Sequence, residues 1–155
     1  MEKKYYIDTS VFGGYFDIEF MDITKKLFIE IENQKITILY SELTESELQN
    51  APDEIKVFVE SLANELIEYV EISEESVSLA DNYIKENVVG KTSRDDCIHI
   101  ALATINRADV LISWNFKHIV NLKKIHGYNS VNMKYEYPTL EIRSPKEMID
   151  YEDND

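Results

Sequence analysis

A chain of 155 residues with 44% hydrophobic content is long enough for one domain with a core, and too short for two comfortable ones. Its single cysteine excludes an internal disulfide framework, and no apolar run approaches the length of a membrane span. The net charge of −14 argues against the simplest kind of nucleic-acid binder, which neutralises phosphates with Lys and Arg.

The charges are unevenly distributed along the chain. Residues 91–146 contain nine basic and five acidic side chains, a net charge of +4, so the remainder carries −18. One part of the molecule could therefore face phosphate while the rest repels it. A solvated surface with no partner would give the same asymmetry.

The hydrophobic pattern predicts strands that alternate with helices. Strands are predicted at residues 4–8, 36–40, 67–70 and 110–113, with a weak one at 140–142. Helices are predicted at 24–32, from Ser41 or Thr44 to about 49, at 53–63, and at 73–87 with Ser73 as N-cap and Gly90 ending it. Ser93 is expected to cap the helix that contains Asp96, and Ser144-Pro145 to open a last short helix. Residues 117–139 fit no clear pattern.

Short strands that are apolar on both faces, separated by helices, predict an α/β fold. We expect a three-layer α/β/α arrangement around a mainly parallel sheet of four to five short strands. Residues 1–149 are predicted to form a single domain, and residues 150–155 an acidic, disordered tail. The N-terminus shows no signal-peptide core, because Asp8 interrupts its apolar run, so the expected location is the cytoplasm.

Acidic and amide side chains follow several predicted strands. Asp8 and Asn115 come directly after two of them, and three glutamates, Glu42, Glu45 and Glu47, follow another. Asp96 enters the start of an otherwise apolar helix. Because sites in such folds lie at the carboxyl ends of the strands, these oxygens should meet at one edge. Oxygen donors without a cysteine or histidine pair suit a hard cation, Mg²⁺ or Mn²⁺, and metal-assisted hydrolysis.

Each of these residues also has an ordinary structural interpretation. Asp8 could cap the turn that follows it, and Thr44 to Glu47 form a capping box. Asp95 is explained by the helix dipole alone, whereas Asp96 lies nearer the apolar face. Asn115 could stabilise a turn.

Four motifs, in the right order and spread over nearly the whole chain, resemble the PIN domain family, which includes the VapC toxins of toxin-antitoxin pairs. They are Tyr6-Ile7-Asp8-Thr9-Ser10-Val11-Phe12, Thr44-Glu45-Ser46-Glu47-Leu48, Asp96-Cys97-Ile98-His99-Ile100-Ala101-Leu102-Ala103 and Leu111-Ile112-Ser113-Trp114-Asn115-Phe116.

The resemblance implies an endoribonuclease that depends on Mg²⁺ or Mn²⁺ and hydrolyses single-stranded or structured RNA. It implies that Asp8, Glu47, Asp96 and Asn115 hold the metal and form the catalytic site. The family commonly has Asp at the last position, so Asn115 removes one negative charge from the site. Residues predicted to support the carboxylates or contact substrate are Thr9, Ser113, His99, Lys117, Lys123 and Lys124. His99 alternatively forms hydrogen bonds within the core.

Two other functions remain open at this stage. The chain could be a PIN-like binding or scaffolding module with little or no catalysis, which Asn115 and the net charge favour. It could also be a phosphatase with Asp8 as nucleophile, although Ser10 stands where that class needs a second Asp. The resemblance further implies an antitoxin protein as partner and is compatible with a homodimer.

Overall fold

The computed structural model describes residues 2–153 and, for side chains, residues 2–149. Five strands alternate with helices. In chain order they are β1 Lys4–Ile7, α1 Thr9–Gly14, α2 Met21–Gln34, β2 Thr37–Ser41, α3 Glu42–Leu48, α4 Asp53–Ser61, β3 Ile67–Val70, α5 Glu74–Lys85, α6 Arg94–Ile105, β4 Val110–Ile112, α7 Leu122–Lys134, β5 Ile142–Arg143 and α8 Pro145–Asp153. The predicted three-layer α/β/α class is confirmed.

The five strands form one parallel sheet in the order β3-β2-β1-β4-β5. Tyr6 of β1 pairs with Leu39 of β2 on one side and with Leu111 of β4 on the other. The chain therefore builds outward from β1 in one direction, to β2 and β3, and then crosses back to place β4 on its other side. The strand order reverses between β1 and β4, which makes this pair the topological switch point. Parallel α/β sheets leave a crevice there, at the carboxyl ends of their strands.

The side chains of alternate strand residues pack into two separate hydrophobic cores, one on each face of the sheet. Tyr6, Leu39 and Leu111 face a core shared with α5, α6 and α7. Tyr5, Ile7 and the other alternate positions face a second core shared with α1, α2 and α4. Because strand side chains alternate between faces, both faces of the sheet are covered by helices, and this explains why the strands are apolar throughout.

Helix α6 is the most enclosed helix element of the first core. Every residue from Cys97 to Thr104 is buried, so the helix has no apolar stripe opposed to a polar one. Cys97 behaves as a small apolar residue, and burial raises the pKa of its thiol to about 12. The charge of the helix is confined to its first turn, at Arg94, Asp95 and Asp96.

The structure departs from the predicted elements at several helix ends. Helix α5 ends at Lys85, two residues before its predicted end at about 87, because Asn87 rather than Gly90 stops it with a left-handed backbone conformation (φ 64°). Ser93 occupies the N-cap position of α6, but its side chain makes no capping hydrogen bond. Ser41 is the N-cap of α3 and accepts from the amide of Thr44 at 3.0 Å.

The region from residue 117 to the C-terminus contains the largest differences. Helix α7 was not predicted, since only Tyr128, Val131 and Asn132 of its residues are buried and the apolar period is weak. Strand β5 begins at the last residue of the predicted strand. Helix α8 spans Pro145–Asp153, and residues 154 and 155 of the predicted tail lie outside the described residues, so the single domain at 1–149 and the tail at 150–155 stay predictions. Within residues 2–153, no helix combines the length and apolar character of a membrane span.

Candidate active site

Asp8 lies at the switch point, directly after β1. It is the N-cap of α1, and only 3% of its surface is exposed. Its Oδ1 accepts from the Ser10 hydroxyl at 2.6 Å and from the amide of Val11 at 3.3 Å, and its Oδ2 accepts from the Ser113 hydroxyl at 2.5 Å. The capping role is therefore present, and a residue 105 positions away in the sequence shares the same carboxylate.

The chain segment after β4 fixes the two serines on Asp8. The amide of Trp114 donates to Ser10 Oγ and the amide of Asn115 to Ser113 Oγ, each at 2.9 Å. Each hydroxyl thus accepts from a backbone amide and donates to Asp8. Because hydroxyls with both roles filled cannot turn freely, the carboxylate is held in one orientation.

Glu47 approaches the same edge from helix α3. Its Oε1 accepts from the Thr9 hydroxyl at 2.7 Å and lies 2.6 Å from Nε2 of His99. It does not reach back to the amide of Thr44, which is capped by Ser41 instead, so the capping-box interpretation is not realised. Thr9 and His99, two of the predicted supporting residues, therefore both act on Glu47.

The other two glutamates of α3 point elsewhere. Glu42 accepts from the amide of Ile72 at 2.9 Å, and Glu45 lies near the hydroxyls of Tyr40 and Tyr69, whose pKa values burial and this charge raise. Of the three acids that follow β2, only Glu47 lies at the site.

The two adjacent acids at the start of α6, Asp95 and Asp96, differ in burial and contacts, as their positions in the helix predict. Asp96 is partly buried and accepts at Oδ1 from the side-chain amide of Asn115 at 3.3 Å, whereas Asp95 is exposed. The neighbouring Arg94 pairs with Asp81 at 3.3 Å rather than entering the site. Asp96 is thereby the acid of this pair that faces the end of β4.

Asn115 stabilises the turn after β4. Its Oδ1 accepts from the amides of Lys117 and His118 at 3.2 and 3.0 Å, and its Nδ2 donates to Asp96. Its side-chain oxygen is thus engaged by the backbone, and its direct contribution to the site is a hydrogen bond to a carboxylate. A role of Asn115 as a direct metal ligand stays a prediction.

The environments of the three acids shift their ionisation in different directions. Burial is the largest cause that raises the pKa of Asp8, and it also raises the pKa of Asp96, where the charges of Asp8 and Glu47 add to the effect. For Glu47, burial acts upward, but the hydrogen bond and charge of His99 prevail and hold the pKa below its ordinary value. A cation placed among these groups would oppose the cost of ionising Asp8 and Asp96.

The acids of the site do not form a closed metal cage. Among the described residues, no three His, Cys, Asp or Glu side chains lie close enough together to enclose a metal ion. Mg²⁺ is commonly held by one or two carboxylates and keeps several waters. The oxygen-only donor set of Asp8, Glu47 and Asp96 suits that kind of coordination.

The predicted basic residues are placed differently from one another. Lys117 is exposed, two residues after Asn115, and Lys123 is exposed in the first turn of α7. Lys124 differs from both, because its ammonium group donates to the carbonyl of Val88 at 3.0 Å.

Trp114, next to Asn115, packs on a neighbouring aromatic ring. It stacks on Phe20 with ring centroids 4.2 Å apart, and its indole N–H donates to Thr24 at 3.0 Å.

Sequence reasoning missed two residues that support the site. The Tyr6 hydroxyl lies 2.6 Å from Nδ1 of His99 and donates to Ser41 Oγ at 2.8 Å. Tyr6 looks like an ordinary core residue of β1, and Ser41 like an ordinary cap. The available signal was His99 itself, because a buried histidine on an apolar helix requires a polar partner.

This chain is similar to known proteins in its structure and not in its sequence. No family model matches the sequence, and no curated protein matches it. VapBC2 from Rickettsia felis, bound to a promoter DNA fragment, superposes with a TM-score of 0.56 at 15% identity, covering 91% of this chain and 98% of the other. DNA-bound VapBC from Salmonella typhimurium gives 0.55 at 16% identity, covering 94% and 99%.

A third similar structure is that of a toxin. VapC20 from Mycobacterium tuberculosis, a Sarcin-Ricin loop cleaving toxin, superposes with a TM-score of 0.55 at 10% identity, covering 73% of this chain and 91% of the other. At such low identities the likeness concerns the fold. The chain has the fold of the VapC PIN domains, as its motifs predicted.

Proposed function

We propose that this protein is an endoribonuclease that depends on Mg²⁺ or Mn²⁺ and hydrolyses phosphodiester bonds of RNA. The observation that carries the proposal is the meeting of Asp8, Glu47 and Asp96, from three separate segments, at the carboxyl edge of β1, β2 and β4. Thr9, which follows Asp8, donates to Glu47 at 2.7 Å, and Asn115 after β4 donates to Asp96 at 3.3 Å, which supports a common site. The fold likeness to VapC structures, one of which is a Sarcin-Ricin loop cleaving toxin, supports the same function.

A bound divalent cation would supply charge neutralisation and a water of lowered pKa for an in-line attack on phosphorus. The residues of this chain have other tasks. Asp8 is held rigidly by Ser10 and Ser113, so its carboxylate presents a fixed negative charge at the switch point. Asp96 is oriented by Asn115.

Substrate contacts follow from the exposed basic residues. Lys117 lies next to the turn that carries Asn115, and Lys123 follows on α7. We assign both to the RNA backbone, where a lysine neutralises a phosphate. Lys124 is the weakest of the three candidates, because its ammonium group already donates to the carbonyl of Val88.

Two further features of the proposal concern partners and place. Two of the similar structures are VapBC complexes, which supports an antitoxin protein as partner of this chain. A homodimer is compatible with the exposed apolar side chains of the described surface, such as Ile18 and Leu122. The proposed place of action is the cytoplasm.

Specific observations favour a second candidate, a binding module without catalysis. Asn115 takes the place of an acid, the described acids form no closed metal cluster, and the net charge is −14. A phosphatase that uses Asp8 as nucleophile is poorly supported, because Ser10 stands where that class needs a second Asp and donates to Asp8 Oδ1 at 2.6 Å.

The test is cleavage of a mixed pool of single-stranded and structured RNA by the purified full chain, with Mn²⁺ or with chelator. We expect cleavage with Mn²⁺ alone, and a loss of roughly 100-fold or more in Asp96→Asn, because several kcal/mol of charge stabilisation disappear. Gel analysis of RNA fragments over time measures the rates.

Asp95→Asn is the matched control, since it removes the same charge from the same helix turn at an exposed position. It should change the rate by less than roughly threefold, because a surface charge has little effect. Intact RNA under all conditions would support the binding module. Cleavage that persists in chelator would exclude the metal-dependent mechanism.

A further inference from the structure

His99 is the one histidine inside the enclosed stretch of α6, and both of its ring nitrogens have partners. It is 3% exposed, with Nε2 lying 2.6 Å from Oε1 of Glu47 and Nδ1 lying 2.6 Å from the hydroxyl of Tyr6. The rings of Tyr6 and His99 also meet edge to face, with centroids 5.7 Å apart. Tyr6, Ser41, His99 and Glu47 together form what we call the His99 network.

The direction of the bond to Glu47 follows from charge. A glutamate is a carboxylate at neutral pH, and a carboxylate only accepts. His99 must therefore donate from Nε2. Hydrogen bonds to an ionised partner are stronger than neutral ones, so this contact is among the firmest in the site.

Glu47 would otherwise be mobile. It lies on a largely exposed part of α3, its side chain is 32% exposed, and an unconstrained glutamate side chain samples several rotamers. Thr9 and His99 both bind Oε1, while no described residue donates to Oε2. The arrangement immobilises one oxygen of Glu47 and leaves the other open.

We propose that His99 is a positioning residue, which holds Glu47 so that Oε2 is available to a hydrated divalent cation. Tyr6 supports this by fixing the plane of the imidazole ring through Nδ1. The inference rests on the proposed function, because it assumes that the site takes a cation. It assigns a task to a histidine that neither binds the metal nor touches the substrate.

The test is the dissociation constant of Mn²⁺, measured by titration calorimetry on the full chain in the absence of RNA. His99→Leu should weaken binding by roughly 10- to 100-fold, as is usual when a partner of a metal ligand is lost. His99→Gln should recover most of the affinity, because its side-chain amide reaches the position of Nε2. A purely structural histidine would not be rescued in this way.

A double-mutant cycle separates positioning from direct binding. If His99 acts through Glu47, the variant Glu47→Gln/His99→Leu should bind Mn²⁺ no more weakly than Glu47→Gln alone. Additive losses would overturn the inference. So would an unchanged affinity in His99→Leu while Glu47→Gln binds weakly, and in that case the proposed function would stand.

A second test uses the matched variants Tyr6→Phe and Tyr83→Phe. It applies even when the His99→Leu protein does not fold. Both tyrosines are fully buried in the same core, and only Tyr6 contacts His99. Tyr6→Phe should weaken Mn²⁺ binding severalfold, and Tyr83→Phe should leave it unchanged. Equal effects would overturn the inference, and absence of Mn²⁺ binding by the unmodified chain would overturn both it and the proposed function.

Discussion

Two buried polar networks each contain a tyrosine of the same core but end differently. In the first, the Tyr83 network, the hydroxyl of Tyr83 donates to Asn132 Oδ1 at 2.5 Å, and Asn132 Nδ2 donates to Thr104 Oγ1 at 3.2 Å. Thr104 in turn donates to the carbonyl of Ile100 at 2.9 Å. All members are neutral and enclosed, so the network joins α5, α6 and α7 and ends inside the protein.

The His99 network ends at the surface instead. It runs from Ser41 through Tyr6 and His99 to Glu47, a charged group that is one-third exposed. A closed neutral network satisfies its own polar groups and can contribute only to stability and to the specificity of packing. A network that ends in a carboxylate one-third exposed fixes the orientation of a group that solvent can still reach, and this is what a binding site requires.

The largest effect should come from breaking the closed network. Asn132→Ala leaves the buried hydroxyl of Tyr83 without its acceptor and opens a small cavity, so we expect the free energy of unfolding to fall by about 3 kcal/mol. Urea denaturation measures it. Mn²⁺ affinity should not change, and a weakened affinity would contradict the separation of the two networks.

Ser41→Ala should have a smaller effect on stability and an additional one on binding. Ser41 caps α3 and accepts from Tyr6, so its loss should cost about 1 to 2 kcal/mol and weaken Mn²⁺ binding severalfold. Ser73→Ala is the control, because Ser73 caps α5 in the same way, at 3.1 Å from the amide of Ser76, and belongs to neither network. Equal Mn²⁺ affinities in both variants would show that the cap of α3 has no link to the site.

The smallest effect concerns the pH dependence of stability. Burial raises the pKa of Asp96 above 3.8 in the folded state, so this group adds stability at low pH that is lost as pH rises through its folded pKa. Asn at position 96 does not ionise, so the Asp96→Asn variant does not lose this stability as pH rises. In chelator, its Tm relative to the unmodified protein should therefore rise by roughly a few degrees between about pH 4 and pH 8.

Glu47 contributes with the opposite sign. Its lowered pKa gives stability that is present above about 4.5 and lost as pH falls, so it does not mask the trend at higher pH. Saturating Mn²⁺ should reverse the order of the two Tm values at pH 8, since it stabilises the protein that binds it. A Tm difference that is independent of pH would contradict the assigned ionisation of Asp96.

The sequence was sufficient for elements whose signals are local. Ser73 and Pro145 mark helix starts, and the apolar runs of β1, β2 and β4 lie within a residue or two of their predicted bounds. Helix α7 escaped prediction, because much of it is partly exposed and its buried positions give no strong period. The predicted site residues Asp8, Glu47 and Asp96 do meet at one edge, but their roles as metal ligands stay predictions.

What the sequence by itself determined is the kind of fold and the segments that carry the acids, because strand period, caps and strand-end position are properties of neighbouring residues. Only the tertiary structure decided which groups touch. Ser113 reaches Asp8 across 105 residues, and His99 reaches Glu47 across 52. Such contacts depend on how separate elements are placed against each other, and no local pattern in the chain encodes that placement. Of the two acids at the start of α6, the sequence already favoured Asp96, and packing supplied its contact with Asn115 while Asp95 stays exposed.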